Sequence, residues 1–327
     1  MGATLIAPIR ENVLCENLIT MNRMTFQEIA GLWKTDKAVY VKKSTFLTYS
    51  LLISTHLIPE FGTCYDISEE TVQKFVEKKI AEGLSLKYVK DIIVVLKMIL
   101  RYAGRKNLWT FIEMDVHFPV QLRQDKPLIA DKESQKCMLE YIRDNFSFLN
   151  FGIYLSASTG MRIGELCALK WQDMDLDEGV VRVTKTLQRV YIPGVEKGRT
   201  ELLVDTPKSA SSIREIPLCA DVLRMLQTHC RDLDGENYIL TDSPSPVEPR
   251  SLRNYYKKLQ ERLGLPVLKF HSLRHSFATR CIECQCDYKT VSSLLGHSKI
   301  STTLNLYVHP DLEQKRRCVD KMAQSMI

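Results

Sequence analysis

Residues 85–106, SLKYVKDIIVVLKMILRYAGRK, constrain the fold more than any other stretch of the chain. At helical spacing they sort into two faces. Val89, Ile93, Leu96 and Leu100 share one; Lys90, Val94, Lys97 and Arg101 share the other. A lone helix cannot bury such an apolar stripe, so other helices must cover it. Three candidates lie upstream. MTFQEIAGLWKTD places Phe26, Ile29, Ala30 and Trp33 at helical spacing behind Thr25, a suitable N-cap. KSTFLTYSLLISTHLIPEFG puts Phe46, Tyr49, Leu52 and Ile53 on one face, with Pro59 expected to help stop the helix. SEETVQKFVEKKIAEG opens at Ser68 near an acidic turn and closes at Gly83. Together these predict an all-α domain over residues 24–110, preceded by a tail, residues 1–23.

The polar side of that domain is basic. Residues 74–106 hold nine Lys/Arg against three Asp/Glu, a surplus equal to the +6 of the whole chain. A basic face opposite a core face suits phosphate binding, with Lys87, Lys90, Lys97 and Arg101 as the expected DNA contacts. The plain alternative is a solvated helix surface. A second basic stretch runs from Arg250 to Arg280. With 45% hydrophobic and 26% charged residues over 327 positions, a largely disordered chain is excluded and two domains are expected. No run approaches the roughly 18 apolar residues of a membrane span. The N-terminus lacks a charged start before its short apolar patch, so no signal peptide is expected, and Ile6 stands where a myristoylation signal needs Ser or Thr. Ten cysteines without an export signal point to reduced thiols in a cytoplasm.

Periodicity fades between 107 and 126, which places a linker at 111–127 and a second domain at 128–327. That domain reads as helices, then strands at 179–183, 201–205 and 213–217, then helices to the end. Four of its segments carry chemistry. In SASTGMRIGELCALKW, Thr159-Gly160 is expected to open a helix with Arg162 in its first turn and Glu165 on the same face, able to orient the guanidinium. TPKSASSIREIPL reads as a turn between two strands with Lys208 near its start, and Lys185 and Lys197 lie nearby as other lysines for the same role. In HSLRHSFATR, His271 and Arg274 share a helical face, while His275 is displaced and could pack or cap. In LLGHSKISTTLNLYVHP, a turn at Gly296-His297 leads to a helix carrying Tyr307. Each segment alone is weak, since an Arg–Glu pair or a turn lysine is usually just surface.

In this order and at these separations, TGMRIGEL, TPK with SSIREIPL, HSLRHSFAT and LLGHSKISTTLNLY resemble the tyrosine recombinase, or phage integrase, family, most closely the integrases of phages and conjugative transposons. The resemblance spans about 300 residues from Thr25 onward. It implies a mainly α protein with a small antiparallel β-sheet, built as a two-domain C-shaped clamp on duplex DNA: an all-α, SAM-like core-binding domain and a mixed α+β catalytic domain. It implies that Tyr307 attacks a scissile phosphodiester to form a 3′-phosphotyrosyl bond, that Arg162 and Arg274 clamp the non-bridging oxygens, and that Lys208 protonates the leaving 5′-oxygen. His271 assists at the phosphate or as acid/base, His297 hydrogen-bonds the phosphate, and Glu165 supports Arg162. No metal, cofactor or ATP is called for.

The same resemblance implies a homotetramer exchanging strands on two DNA sites, with residues 312–327 docking on a neighbouring protomer; Leu312, Val319, Met322 and Met326 fall on one rough face there, and a helix packed on its own domain is the plain alternative. It admits an excision or host DNA-bending factor as a further partner, no membrane, and a cytoplasmic protein associated with the nucleoid when bound to DNA. The expected role is integration and excision of a mobile element. Resolution of chromosome or plasmid dimers shares the chemistry, as does a relaxing topoisomerase; a catalytically silent DNA-binding protein is the reading from a different class, disfavoured because all six active-site positions are filled. Cys281, Cys284 and Cys286 form a C-x2-C-x-C cluster, but a closed site needs a fourth ligand, so no metal is expected there. The family often has a glycine near Gln285 in this turn, so a different turn is expected here. Tyr288 is expected to pack.

Overall fold

The computed structural model describes residues 24–111, 113–120, 129–192, 200–207, 210–230, 233–307, 312–324 and 326. The chain divides into two compact units, residues 1–124 with 190–201 and residues 125–189 with 202–327. The fold is mostly helical with two small sheets.

In the first unit, α1 (Phe26–Ala38) starts at a reciprocal cap. The Glu28 N–H donates to Thr25 Oγ1, and the Glu28 carboxylate accepts the Thr25 N–H at 2.7 Å. The next helical run does not stop at Pro59 as expected. It continues from α2 (Lys43–Leu52) through a π-turn (Ile53–Leu57) into α3 (Ile58–Phe61). The π-turn is the reason: the Ile58 N–H reaches back five residues to Ile53 O, so the helix widens where the proline ring would crowd the preceding turn and Pro59 has no N–H to give. The buried stripe of α2 runs through Ser44, Leu47 and Ser50, leaving Phe46 and Tyr49 half-buried at its edge. Ser68 caps α4 (Glu69–Ala81) and Ser85 caps α5 (Leu86–Arg105). The apolar face of α5 is buried as its spacing requires: Val89, Ile93, Leu96 and Leu100 join Phe26, Ile29, Trp33, Phe61 and Phe75 in one core.

The stretch after α5 is not a free tether. Met114 is buried in this core, its carbonyl accepts Lys97 Nζ at 2.8 Å, the Asp115 N–H donates to Glu69, and the His117 N–H donates to Gln73. Residues 114–117 therefore lie along α4 and α5. Position 112 and positions 121–127 of the expected linker, and the tail, 1–23, lie outside the described residues.

The second unit is built on α7 (Phe148–Thr159), buried along almost its whole length. It packs against α6 (Lys132–Asp144), α8 (Ile163–Ala168), α9 (Ala220–His229), α10 (Pro249–Arg262) and α11 (His271–Glu283). The three expected strands are present as β2 (Val180–Val183), β4 (Thr200–Asp205) and β5 (Arg214–Pro217), and two more join them, β1 (Met174–Asp175) and β3 (Thr186–Tyr191). β2 pairs antiparallel with β1 and with β5, Val181 standing opposite Met174 on one side and Ile216 on the other. β3 and β4 form a separate sheet. β4 and β5, on either side of the Lys208 segment, belong to different sheets.

Three local expectations change. Gly160, in the left-handed region at φ +66°, closes α7, and Arg162 is the N-cap of α8; Thr159-Gly160 ends one helix before the next begins. Gln285 adopts φ +61° after α11 and completes the double hydrogen bond of a Schellman turn, Cys286 N–H to Cys281 O and Gln285 N–H to Ile282 O, so the turn forms without the glycine. Tyr288, at the start of α12 (Tyr288–Leu295), is exposed rather than packed. Two more helices follow, α13 (Ile300–Tyr307) and α14 (Leu312–Gln324).

Candidate active site

Five of the six expected active-site residues belong to the second unit's described residues and come together at the C-terminal ends of α7 and α12. Lys208 lies outside the described residues, as do residues 308–311.

Arg162 is set by Glu165. The carboxylate takes the Arg162 backbone N–H on Oε2 at 2.9 Å, as an N3 residue does when it closes a helix start, and takes the guanidinium on Oε1 at 2.8 Å. This leaves the rest of the guanidinium facing outward, 38% exposed, with one further bond to Gly296 O at 3.4 Å. Glu165 itself is buried. Burial pushes its carboxyl up, but the hydrogen bond and charge of Arg214, joined by Arg162, hold it below the ordinary range.

Arg214 was not among the expected site residues. It enters from β5 and is nearly buried, with Nη2 on Glu165 at 2.9 Å, Nε on Leu294 O at 2.6 Å and Nη1 on Ser212 O at 2.9 Å. Its sequence surroundings, SSIREIPL, show only an alternating strand, so nothing local marks it.

Arg274 rises from α11 into the same place. It is buried, and its Nη1 donates to Gly160 O at 2.8 Å and its Nη2 to Leu295 O at 2.7 Å. Burial first, and then the charge of Arg162, push its guanidinium down to about 9, so it is still a cation at neutral pH. The last carbonyls of α12 therefore receive three guanidiniums: Leu294 O from Arg214, Leu295 O from Arg274 and Gly296 O from Arg162. A helix C-terminus is where carbonyls lack intrahelical partners and where the backbone dipole favours cations.

The histidines fit around these cations. His297 Nδ1 shares a hydrogen bond with the buried Thr303 Oγ1 at 2.8 Å. Burial, then Arg274, Arg162 and Arg214, push His297 down to about 4. His271 stands at the rim; desolvation, then the neighbouring His275, Arg274 and Arg162, push it to about 4 as well. Both rings are neutral at neutral pH. Tyr307 sits one helical turn after Thr303 on α13, its ring packed with Ala278, Val291 and Leu295. Burial raises its phenol, while Arg274 and Arg162 pull the other way, so both guanidiniums act on it within one chain. Its hydroxyl lies 2.7 Å from His275 Nδ1.

The expected DNA contacts lie in the first unit, on α5. Lys87 and Arg101 are exposed. Lys90 is exposed too, with its Nζ over the Phe118 ring at 5.1 Å, and Lys97 is half-buried and turned onto Met114 O. Two of the four cations thus also hold the segment after α5.

A family model described as "Phage integrase family" matches residues 132–314, and one described as "Phage integrase, N-terminal SAM-like domain" matches residues 25–80. A "Tyrosine recombinase XerC-like" protein of Caldanaerobacter subterraneus subsp. tengcongensis is 30% identical over 281 residues, covering 77% of this chain and 69% of its own. The "ICEBs1 integrase" of Bacillus subtilis is 23% identical over 334 residues, covering 97% and 87%. Among solved structures, the Tn1549 transposon integrase in complex with a circular intermediate DNA matches with a TM-score of 0.71 at 21% identity, over 91% of this chain and 99% of that one. With a family model spanning more than half its length and a relative at this identity, the chain belongs to the phage integrase family of tyrosine recombinases.

Proposed function

We propose that the protein is a site-specific DNA recombinase that cuts and rejoins duplex DNA through a 3′-phosphotyrosyl intermediate on Tyr307. One observation carries the reading: Arg162, Arg274, His271, His297 and Tyr307, spread over 146 positions of the sequence, gather around the end of one short helix. A phosphodiester bound there meets two guanidiniums placed to take charge on its non-bridging oxygens as a pentavalent phosphorane forms. If the Thr303 hydroxyl donates to His297 Nδ1, the Nε2–H is left to donate to the phosphate. His271, neutral at the rim, assists there. The phenol oxygen of Tyr307 attacks phosphorus, the 5′-oxygen leaves, and Lys208 gives it a proton. The bond energy stays in the phosphotyrosine, so rejoining needs no ATP.

In this reading residues 24–110 form the core-binding domain, with Lys87, Lys90, Lys97 and Arg101 toward DNA phosphates, 111–127 the linker and 128–327 the catalytic domain, and 1–23 a tail. The active form is a homotetramer on DNA attachment sites in the cytoplasm. Integration and excision of a mobile element is the favoured role, supported by the match to an integrase over 97% of the chain; dimer resolution is the second, supported by the XerC-like relative. Covalent capture of protein–DNA junctions across a genome tests this. The unaltered chain is expected to leave Tyr307-linked DNA ends, and Tyr307→Phe to bind the same DNA with no adduct. Adduct formation by the Phe variant, or none by the unaltered chain, overturns the reading.

A further inference from the structure

We propose that His275 is a catalytic residue of strand cleavage: its Nδ1, 2.7 Å from the Tyr307 phenol oxygen, takes the phenolic proton as that oxygen attacks the scissile phosphorus. The proposal rests on Tyr307 being the nucleophile and adds the group that activates it.

A buried phenol keeps its proton at neutral pH, and burial here strengthens that tendency. An attacking phenol must lose it. Arg162 and Arg274 are cations without a lone pair and cannot accept it. His297 has its Nδ1 on Thr303. His271 meets His275 edge to face, ring centres 4.6 Å apart, and makes no described bond to the phenol. Among the described residues, His275 supplies the hydrogen-bonding partner of Tyr307. The pair is fixed from both sides. His275 is half-buried on α11 beside Arg274, and the Tyr307 ring is packed against Ala278 of α11 and against Val291 and Leu295 of α12. Burial and the charge of Arg274 keep the imidazole below its ordinary range, so it is neutral and has a lone pair to offer.

The step balances. The phenol O–H bond breaks and its proton moves to His275 Nδ1. The phenol oxygen bonds to phosphorus, the bond from phosphorus to the 5′-oxygen breaks, and that oxygen takes a proton from the general acid assigned to Lys208. In rejoining, the 5′-hydroxyl returns its proton to the amine and attacks, and the departing phenol oxygen reclaims its proton from His275.

Two measurements decide it. Nitrogen NMR of the imidazoles in the full chain without DNA is expected to show His275 Nδ1 unprotonated, with a shift that Tyr307→Phe changes; a proton on Nδ1 overturns the proposal. On a nicked duplex bearing a captured junction, His275→Asn keeps a hydrogen-bonding group without a proton acceptor of imidazole strength. It is expected to bind DNA unchanged and to cleave about 10²- to 10⁴-fold more slowly. Replacing Tyr307 with 3,5-difluorotyrosine, whose phenol ionises near neutral pH, is expected to bring His275→Asn back to within about tenfold of the same fluorinated chain with His275. Cleavage by His275→Asn at the unaltered rate, or no recovery with the fluorinated phenol, shows a packing role and overturns the proposal. If the unaltered chain itself forms no adduct, the nucleophile assignment has failed, and this proposal falls with it.

Discussion

One carboxylate, Glu165, holds two guanidiniums: Arg162 through Oε1 and a backbone N–H, and Arg214 through Oε2. Replacing it with Gln leaves the nearly buried Arg214 with an uncompensated charge, a change that costs on the order of 3–5 kcal/mol when a buried pair is broken. Urea denaturation at neutral pH is expected to show a loss of that order; a loss below about 1 kcal/mol would place the pair among surface contacts. Because the folded carboxyl is held below its ordinary 4.5, its stabilising share is complete above that value and fades as pH falls through the lowered one. The unaltered chain should therefore weaken below pH 4.5, and Glu165→Gln should lack that part of the acid limb. The histidines behave oppositely in origin but alike in direction. His271 and His297 titrate at about 4 in the fold against an ordinary 6.5, so the unfolded chain binds their protons first and stability falls as pH drops from 6.5 toward 4. Imidazole NMR of the free chain should place both midpoints near 4; a midpoint near 6.5 for His297 would contradict its burial among cations. At this scale the gathering of Arg162, Arg274, His271, His297 and Tyr307 could be anticipated because their motifs keep a fixed order. Arg214 and His275 were not, since their partners lie 49, 80 and 32 positions away and no local pattern announces a contact made only by tertiary packing.

Helix starts could be read off well, because Thr25, Ser68 and Ser85 each supply a side-chain oxygen to an otherwise unpaired N–H. Helix ends were harder. Pro59 reads as a stop, yet a π-turn carries the helix across it, an adjustment set by packing of Leu57 and Phe61 in the core and invisible in composition. The α7–α8 junction departs from its local signals for a related reason: Gly160 serves a helix end, and the N-cap role falls to an arginine, whose side chain is no cap at all. Gln285 gives the cleanest test at this scale. It holds a left-handed conformation that glycine adopts freely and other residues do not. Gln285→Gly is expected to stabilise the chain by about 0.5–1 kcal/mol, read as a raised midpoint in thermal unfolding. A lower midpoint would mean that the glutamine side chain contributes more than its backbone costs.

Among the described residues each unit has its own main core, with a smaller third cluster around Tyr307, and the two main cores match the division into all-α and mixed parts that the periodicity suggests. No helix of the described residues is long and apolar enough to cross a membrane. The small sheets were only partly legible: β1 is two residues long, and β3 shows no clean alternation beside its turn-rich neighbours. On α14 and just beyond it, Leu312, Val319 and Met326 are exposed, apolar area that a second copy of the chain could cover. Removing residues 312–327 is expected to leave cleavage of a single nicked site in place and to lower the yield of paired sites by at least about tenfold, measured by gel mobility of the joined complex; unchanged pairing would assign this surface no role in assembly. The end of α12 has the widest reach. Because Leu294, Leu295 and Gly296 each accept from a different arginine, fraying of that one turn would loosen three guanidiniums at once, while Glu165, Ser212 and Gly160 keep their own hold on them. Amide exchange across those three positions would gauge that shared loosening.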